Sequence, residues 1–361
     1  MKLRLCWLLT TGAFVSCSLG SVQTLAQNAY ITNDGSGNVS VIDTATNTVT
    51  ATIPVGTAPF AVTVSPNGGT VYVANIDSDN VSAIAASTNK VIATITVGSA
   101  PEGVAASPDG STVYVANQHS NNVWVIDTAT NKVSATITVG REPGGVAVTP
   151  DGGKVYVANF LSNNVSVIGT ATNEVTATIA VGANPFGVAV TPDGGTVYVA
   201  NAGFGANTMS AIATATNSLT KTITVGSEPG GVAVTPDGSK VYVANFLSNN
   251  VSVIATATNT VTATIPVGSE PFGVAVTPDG CKVYVANGAS NDVSVIATAT
   301  NTVAAAITAG SGPVAFGVFI SRPSFAGTQG LSDCHGSRAA RRWPGGLAGS
   351  MPRPQPWDYR A

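Results

Sequence analysis

The chain has 361 residues, of which 44% are hydrophobic and 9% are charged. This hydrophobic content excludes a disordered chain, and a charged fraction well below the roughly 25% of ordinary soluble domains leaves Ser, Thr, Asn and Gly to form the wetted surface, which favours a β-rich exported protein. A formal net charge of −3 excludes a basic surface that binds nucleic acid, and two histidines limit acid–base and metal chemistry.

Residues 1–26 have the pattern of a secretory signal peptide. Basic residues precede an apolar stretch from Leu5 to Val15, which is much shorter than the roughly 20 residues that span a bilayer. Two cleavage positions remain open: after Ala26, or before Cys17, in a loose lipobox. Both predict export to the periplasm, the cell surface or the medium, and only the second predicts a membrane contact, through a lipid anchor at Cys17.

From residue 27 onward the chain repeats one unit seven times. The unit is marked by a Tyr-x-x-Asn element, with a spacing of 42 residues in every interval but one, which is 44. These elements begin at Tyr30, Tyr72, Tyr114, Tyr156, Tyr198, Tyr242 and Tyr284. A complete copy, such as residues 143–182, contains four short β-branched runs separated by turn signals. Four short strands per copy and this period predict an all-β, seven-bladed β-propeller over residues 27–320.

The two ends of the repeat distinguish a closed ring from an open solenoid. The first copy lacks its first strand, whereas residues 315–320 have the pattern of a first strand with no others after it. Together they make one blade of four antiparallel strands, so we predict a ring that is closed by its two ends and leaves no sheet edge between them. Glycines at the start of the first strands, such as Gly103 and Gly187, predict that the blades converge there on the axis.

Tyr30-Ile31-Thr32-Asn33 and the six Tyr-Val-Ala-Asn copies resemble the YVTN-type β-propeller repeats of exported bacterial and archaeal proteins, including surface-layer proteins. The resemblance covers about residues 28–320 and depends on seven in-phase copies. It implies a seven-bladed exported propeller but no activity, because propellers host many unrelated functions. Six copies have Ala where the family name has Thr, a change that is compatible with the same strand.

A specific site should lie where the copies differ, and the net negative charge concentrates on one face. A propeller places its second-to-third strand loops and its blade crossings on one face, called the top face here. Acidic residues dominate these segments, and Arg141 is the one strong cation among them: Asp34, Asp77, Asp79, Glu102, Glu142, Glu228, Glu270 and Asp292. We interpret this face as either a solubility feature or a site that attracts Ca²⁺, a polyamine or a basic partner. Asp77 and Asp79 supply oxygen ligands that suit Ca²⁺, although they lack EF-hand spacing.

The top loops also carry large apolar residues in three copies. Phe160 precedes Leu161, Phe246 precedes Leu247, and Phe204 lies in the one loop that is two residues longer. Two interpretations remain open for these residues: a contact patch for a partner protein, and packing against the blade that carries each loop.

One polar group on this face could support catalysis. His119 is the only histidine of the repeats and lies one blade crossing from Arg141 and Glu142. Such a group could carry acid–base chemistry, although a lone exposed histidine is usually a solvated surface residue. The sequence contains no Gly-x-Ser-x-Gly elbow and no P-loop, so nucleophilic and phosphate chemistry have no recognisable motif.

Residues 321–361 leave the repeat and are rich in Arg, Pro and Gly. This composition predicts a disordered basic tail. Two origins stay open: a change of reading frame within this segment, and a functional tail that contacts the acidic top face.

The sequence therefore predicts an exported, non-enzymatic and monomeric propeller. Its acidic top face would bind a protein or a cationic ligand in the cell envelope, and it would not bind nucleic acid. Similar propellers include lactonases and the redox-inert subunits of periplasmic dehydrogenases, so an enzyme or subunit of that kind is the first alternative. A self-assembling surface-layer component is the second.

Overall fold

The computed structural model describes residues 27–203 and 205–321. The predicted signal peptide with Cys17, the loop residue Phe204 and the tail from residue 322 lie outside the described residues. Within them the chain forms 27 strands in seven antiparallel sheets and three short 3₁₀ helices. None of the helices in this part of the chain is long and apolar enough to cross a membrane. The predicted seven-bladed, all-β propeller is confirmed.

Strands that follow one another in the chain are neighbours in every sheet, running from the axis to the rim. Blade 1 contains β1 (Asn28–Asn33), β2 (Asn38–Asp43) and β3 (Thr48–Pro54). Blade 2 contains β4 (Pro59–Val64), β5 (Thr70–Asn75), β6 (Asn80–Ala85) and β7 (Lys90–Thr96). Blade 3 contains β8 (Pro101–Ala106), β9 (Thr112–Asn117), β10 (Asn122–Asp127) and β11 (Lys132–Thr138). Blade 4 contains β12 (Pro143–Val148), β13 (Lys154–Asn159), β14 (Asn164–Gly169) and β15 (Glu174–Ala180).

The remaining three blades have the same organisation. Blade 5 contains β16 (Pro185–Val190), β17 (Thr196–Asn201), β18 (Thr208–Ala213) and β19 (Ser218–Thr224). Blade 6 contains β20 (Pro229–Val234), β21 (Lys240–Asn245), β22 (Asn250–Ala255) and β23 (Thr260–Pro266). Blade 7 contains β24 (Pro271–Val276), β25 (Lys282–Asn287), β26 (Asp292–Ala297) and β27 (Thr302–Thr308). The 3₁₀ helices lie in top loops, at Asp34–Ser36, Ile76–Ser78 and Phe160–Ser162.

The ring closes through residues 313–321, which lie beside β1 as the inner strand of blade 1. Tyr30 N donates to Phe319 O at 2.8 Å. The other edge of this closing segment pairs with β4 of blade 2, where Val62 N donates to Phe316 O at 2.8 Å. Closure by the two ends is confirmed, and the open solenoid is excluded. The segment extends one residue beyond its predicted end.

The closing segment is less regular than the other inner strands. Two additional residues separate Pro313 from Phe316, whereas proline and phenylalanine are adjacent in the other inner strands that contain both. The backbone accommodates them with positive φ angles of 43° at Ala315 and 113° at Gly317. The segment consequently pairs with β1 through isolated bridges rather than a continuous ladder.

The asparagine of each Tyr-x-x-Asn element ties neighbouring strands together at the top of its blade. In blade 2, Asn75 Nδ2 donates to Asn80 Oδ1 at 2.8 Å and to Ser82 Oγ at 2.9 Å. The crossing residue Gly56 lies over this amide, since a Cβ there would come within 2.7 Å of the Asn75 side chain. A glycine occupies this position in all seven copies. The repeated Asn and Gly are therefore structural.

The tyrosine of each element packs between neighbouring blades. All seven tyrosines are buried, in clusters of Val, Ile and Ala that two sheets share. In blade 4, the hydroxyl of Tyr156 donates to Asn217 Oδ1 of blade 5 at 3.1 Å. Burial of apolar surface at about 25 cal/mol per Å² holds the blades together, and the hydroxyls of Tyr156, Tyr198, Tyr242 and Tyr284 add a hydrogen bond to an asparagine of the next blade.

The inner strands meet backbone to backbone at the axis. A Cβ on Gly187 would lie 2.1 Å from the Gly230 carbonyl oxygen, and one on Gly103 would lie 2.1 Å from that of Gly144. Only glycine fits at this distance. The predicted convergence of the blades at these glycines is confirmed, so side chains one position earlier in each inner strand are brought together at the top of the axis.

Candidate ligand-binding face

Backbone hydrogen bonds hold the second-to-third strand loops beside the blade crossings. In blade 2, Ile76 N donates to Ala58 O at 2.9 Å, and Thr57 N donates to Ser78 Oγ at 2.7 Å. The first of these bonds, from the loop to the residue before the inner-strand proline, recurs in all seven blades. The loop residues selected from the sequence therefore share one face around the mouth of the axis.

Four phenylalanines fill the top of the axis. Phe60, Phe186 and Phe272 follow the inner-strand proline, and Phe316 comes from the closing segment. Their ring centroids lie 5.0 to 6.2 Å apart, in edge-to-face and tilted contacts. We call these four residues the phenylalanine plug. These four residues are not among the site residues predicted from the sequence, although the Pro-Phe pair that recurs in three inner strands was a usable signal.

Phe160 and Phe246 extend the plug outward from two top loops. Each packs edge-on against a plug residue, with the ring centroids 6.3 Å apart. The residue after each is exposed, by 39% for Leu161 and by 53% for Leu247. Each phenylalanine therefore packs on the inner strand of the next blade rather than on its own blade, and the contact patch for a partner protein stays a prediction.

Glu102 occupies the inner-strand position that holds a plug phenylalanine in three other blades. Its side chain is 9% exposed, and Oε2 has no hydrogen-bond partner among the described residues. Burial raises the pKa of this carboxyl to about 8, and the negative charge of Glu142 adds to the rise. Because a buried, unpaired carboxyl destabilises a fold, its presence here marks a candidate binding group.

Gly144 makes room for Glu102 beside the plug. A Cβ on Gly144 would lie 3.0 Å from the Phe186 ring and 3.6 Å from Glu102 Oε2. The carboxyl oxygen and the aromatic ring therefore flank one point at the axis. The strands that pack against β8, namely β4, β5, β9 and β12, contain no charged residue. Glu142 is thus the charged group that acts on Glu102.

Glu142, Glu228 and Glu270 form an acidic rim around the plug. Each precedes an inner-strand proline and has a left-handed backbone, with φ between 50° and 53°. The N–H of Glu142 donates to Asn121 Oδ1 at 2.8 Å, and its carbonyl accepts from Phe160 N at 2.9 Å. These bonds fix the backbone, so the carboxylates are held around the mouth, where they attract cations.

Asp77 and Asp79 have different surroundings on this face. Asp79 Oδ1 accepts the N–H of Ala100 at 2.8 Å, as an asparagine does in four other blades. Asp77 is exposed; the pKa of Asp34 is raised by burial and by the charge of Asp77. Within residues 27–203 and 205–321, no group of three or more His, Cys, Asp or Glu side chains could hold a metal ion. Ca²⁺ binding at Asp77 and Asp79 stays a prediction.

His119 and Arg141 belong to a top loop and a blade crossing that are hydrogen-bonded to each other, since Asn121 Oδ1 accepts the N–H of Glu142 at 2.8 Å. His119 N donates to Ser99 O at 3.3 Å, at the crossing into blade 3, whereas Arg141 belongs to the crossing into blade 4. Both side chains are exposed. The third member of this predicted group, Glu142, acts electrostatically on Glu102 instead. The geometry therefore favours Glu102 with Glu142 as the centre of the site.

Solved structures of two bacterial proteins share the architecture. A structure titled "Kuenenia stuttgartiensis Hydrazine Synthase" is 27% identical, with a TM-score of 0.70, and the match covers 75% of this chain and 92% of that chain. A functionally unknown protein from Desulfotomaculum acetoxidans DSM 771 is 19% identical, with a TM-score of 0.70, over 80% of this chain and 99% of that chain. At this identity the second match shows the fold alone. No curated protein matches the chain.

Two family models match the sequence. The model described as "SMP-30/Gluconolactonase/LRE-like region" matches residues 84–203. The model described as "Lactonase, 7-bladed beta-propeller" matches residues 21–139 and 207–309, which is more than half of the chain. The YVTN name stays a resemblance, and the chain belongs to the family of lactonase-type seven-bladed β-propellers.

Proposed function

We propose that this protein is an exported, non-enzymatic binding module whose top face binds a basic partner protein in the cell envelope. The observation that carries the proposal is Glu102, a buried carboxyl with an unpaired oxygen beside the phenylalanine plug. A cationic side chain at this point would pair with the carboxyl while its apolar stem packed on the rings. Its approach would be favoured by the acidic rim.

Exposed apolar residues beside the rim favour a protein partner over a free ion. Leu161 and Leu247 are presented to solvent, and Phe60 and Phe272 are half-buried at the mouth. Protein interfaces commonly combine aromatic and aliphatic anchors at the centre with charged residues around them. An amphipathic basic segment matches both parts of this surface.

The axis offers limited apparatus for hydrolysis. Hydrolysis of a lactone needs a group that activates water and another that stabilises the developing oxyanion. Glu102 could act as the first. The closing segment places Phe316 beside the equivalent positions of blades 2 and 4 to 7, which hold Phe or Gly: Phe60, Gly144, Phe186, Gly230 and Phe272. These positions add no polar side chain for the second role, which favours binding over catalysis.

Fluorescence anisotropy with two labelled peptides tests the binding proposal on the chain from residue 27. One peptide alternates Lys and Leu, and its matched control alternates Glu and Leu. We expect only the Lys peptide to bind, and we expect its affinity to fall by about tenfold at high salt and by about tenfold in the Glu228→Gln/Glu270→Gln variant. Equal binding of both peptides, or binding that does not depend on salt, would contradict the proposal.

Lactone hydrolysis is the second candidate, because the family model that matches most of the chain carries that name. A pH-stat assay with γ- and δ-lactones tests it. Turnover that is abolished by Glu102→Gln and retained by Glu228→Gln would replace the binding proposal with an enzymatic one. Absence of turnover together with peptide binding would support the binding module.

Export to the envelope is supported by the signal-peptide pattern of residues 1–26. Cell fractionation of the complete chain tests it, and we expect the protein in the periplasm, at the surface or in the medium. Retention in the cytoplasm would contradict export. Labelling with palmitate that is lost in Cys17→Ser would identify a lipid anchor, and a ladder of assemblies in size-exclusion chromatography would identify a surface-layer component.

A further inference from the structure

Three blade junctions on the face opposite the top are linked by a lysine. In blade 4, the Lys154 ammonium donates to the Thr214 carbonyl oxygen of blade 5 at 2.8 Å and lies 3.4 Å from Asn217 Oδ1. The equivalent lysines of blades 6 and 7 reach the same carbonyl of the next blade, at 3.2 Å from Lys240 to Thr298 and at 2.6 Å from Lys282 to Thr44. The repeat therefore contains an ammonium site at these junctions.

The junction between blades 5 and 6 has the acceptors of this site without the lysine. Thr196 occupies the position that holds Lys154 in blade 4, while Thr256 and Asn259 occupy the positions of the carbonyl and amide acceptors. A cleft of about 280 Å³ is present at this junction, and both acceptor residues line it. The cleft therefore occupies one of the junctions where the lysine link is missing; the others have Asn28, Thr70 or Thr112 at the lysine position.

Two carboxylates make this cleft electrostatically suited to a cation. Asp193 and Asp237 both line it, one from each blade. The pKa of Asp193 is lowered, first by a hydrogen bond from the Thr191 hydroxyl, so this carboxylate is ionised at neutral pH. No lysine or arginine is among the lining residues of the described cleft. The side chains that line the cleft therefore carry a net negative charge.

The amide oxygen of Asn259 can accept a second hydrogen bond in addition to the one from Tyr198. Tyr198 donates to Asn259 Oδ1 at 2.6 Å. At the junction of blades 7 and 1, the equivalent oxygen of Asn47 accepts from Tyr284 at 2.6 Å and also lies 3.3 Å from the Lys282 ammonium. An ammonium group can therefore share this oxygen with the tyrosine hydroxyl.

We propose that the cleft between blades 5 and 6 binds the primary ammonium group of a small alkylamine. The ammonium would donate to the Thr256 carbonyl and to Asn259 Oδ1, as the lysines do at the other junctions, and the Asp193 and Asp237 carboxylates would attract it. The volume of the cleft is near the lower end of the range for small-molecule sites, roughly 300 Å³, which suits a short aliphatic amine. This site is independent of the top face and of its proposed partner.

Titration calorimetry with n-butylamine on the chain from residue 27 tests the proposal. In Thr196→Lys, the new side chain should occupy the acceptors and reduce the number of amine sites by one. In Lys154→Thr, the vacated acceptors should increase that number by one. Thr196→Val is the matched control, since it changes the same position without adding an ammonium group and should leave the stoichiometry unchanged.

Three results would overturn the proposal: unchanged stoichiometry in Thr196→Lys, unchanged stoichiometry in Lys154→Thr, or equal binding of butan-1-ol, which has a similar shape without the charge. If Thr196→Lys does not fold, the gain of a site in Lys154→Thr decides the question. An additional site at another junction that lacks lysine would not disturb the test, because both variants are measured as a difference of one site from the parent.

Discussion

Two carboxyl groups on opposite faces of the ring, Asp151 and Glu102, have opposite environments. In blade 4, Asp151 on the bottom face accepts from the Thr149 hydroxyl at 2.5 Å and from Gly153 N at 3.0 Å, and these bonds lower its pKa. At the top of the axis, Glu102 is buried without such donors, and its pKa is raised. The aspartate recurs in five copies and completes a turn, whereas the glutamate occurs once at its position. A carboxylate that the fold satisfies is structural, and one that the fold leaves unsatisfied indicates a ligand.

Glu102→Gln should remove the contrast between these two carboxyl groups and produce the largest change in stability. The folded-state pKa of about 8 lies above the ordinary value of 4.5, so the contribution of Glu102 to stability is complete below pH 4.5 and is lost as the pH rises through 8. Glutamine carries no charge, so at pH 9 the variant should be more stable than the parent by on the order of 3 kcal/mol. Urea unfolding at pH 9 and at pH 4.5 measures the difference.

The matched control for this variant is Glu270→Gln, which neutralises an exposed carboxylate on the same face. It should change stability by less than about 0.5 kcal/mol at either pH. If Glu102→Gln gave the same small change as this control, or destabilised the protein at pH 9, the top carboxyl would not be the unpaired group described here.

Tyr284→Phe, at a blade junction on the bottom face, should have an intermediate effect on stability. The hydroxyl of Tyr284 donates to Asn47 Oδ1 across the junction of blades 7 and 1 at 2.6 Å. Its loss should cost about 1 kcal/mol in the free energy of unfolding. Tyr114→Phe is the control, because the equivalent acceptor, Asn173 Oδ1, has no hydrogen-bond partner within the described part of the chain. Equal losses in denaturant unfolding would refute the role assigned to this bond.

Asp151→Asn should produce the smallest effect, and only in acid. Since the folded-state pKa of Asp151 lies below 3.8, its contribution to stability is present above that pH and is lost as the pH falls through the folded value. Blade 2 shows that asparagine keeps the turn, because Asn67 accepts from Ser65 Oγ at 2.8 Å and from Gly69 N at 2.9 Å. The variant should match the parent at pH 7 and lose less stability by pH 3, by under about 1 kcal/mol after solvent screening. An unchanged acid profile in thermal unfolding would show that this aspartate is not linked to acid stability.

The repeat and its phase predicted most of the fold. Tyr-x-x-Asn marks the second strand of each blade because its tyrosine must be buried between sheets and its asparagine must reach the third strand. The closing strand was predictable because an incomplete first copy and an isolated final strand satisfy each other's edges. Its irregular path around Ala315 and Gly317 was not predicted, because it depends on how two additional residues fit against two neighbouring blades.

The candidate site was predicted only in part. Loop positions are set by topology, so the acidic residues and Phe160 could be assigned to one face from the sequence. The contacts among these residues could not be predicted, because the phenylalanine plug joins inner strands from four blades that are far apart in the chain. The electrostatic link between Glu102 and Glu142 likewise depends on how neighbouring blades turn about the axis.

By itself, the sequence determined the number of blades, the strands within each blade and the way the ring closes, because short-range alternation and a fixed period specify those features. Only the tertiary structure decided which carboxyl is unpaired and that a cleft forms at the junction of Thr196. Glu102 is exceptional because phenylalanines from distant blades exclude water and donors around it, and the cleft at Thr196 is lined by residues of two neighbouring blades. Both features depend on contacts between blades, and the order of residues within one repeat does not specify those contacts.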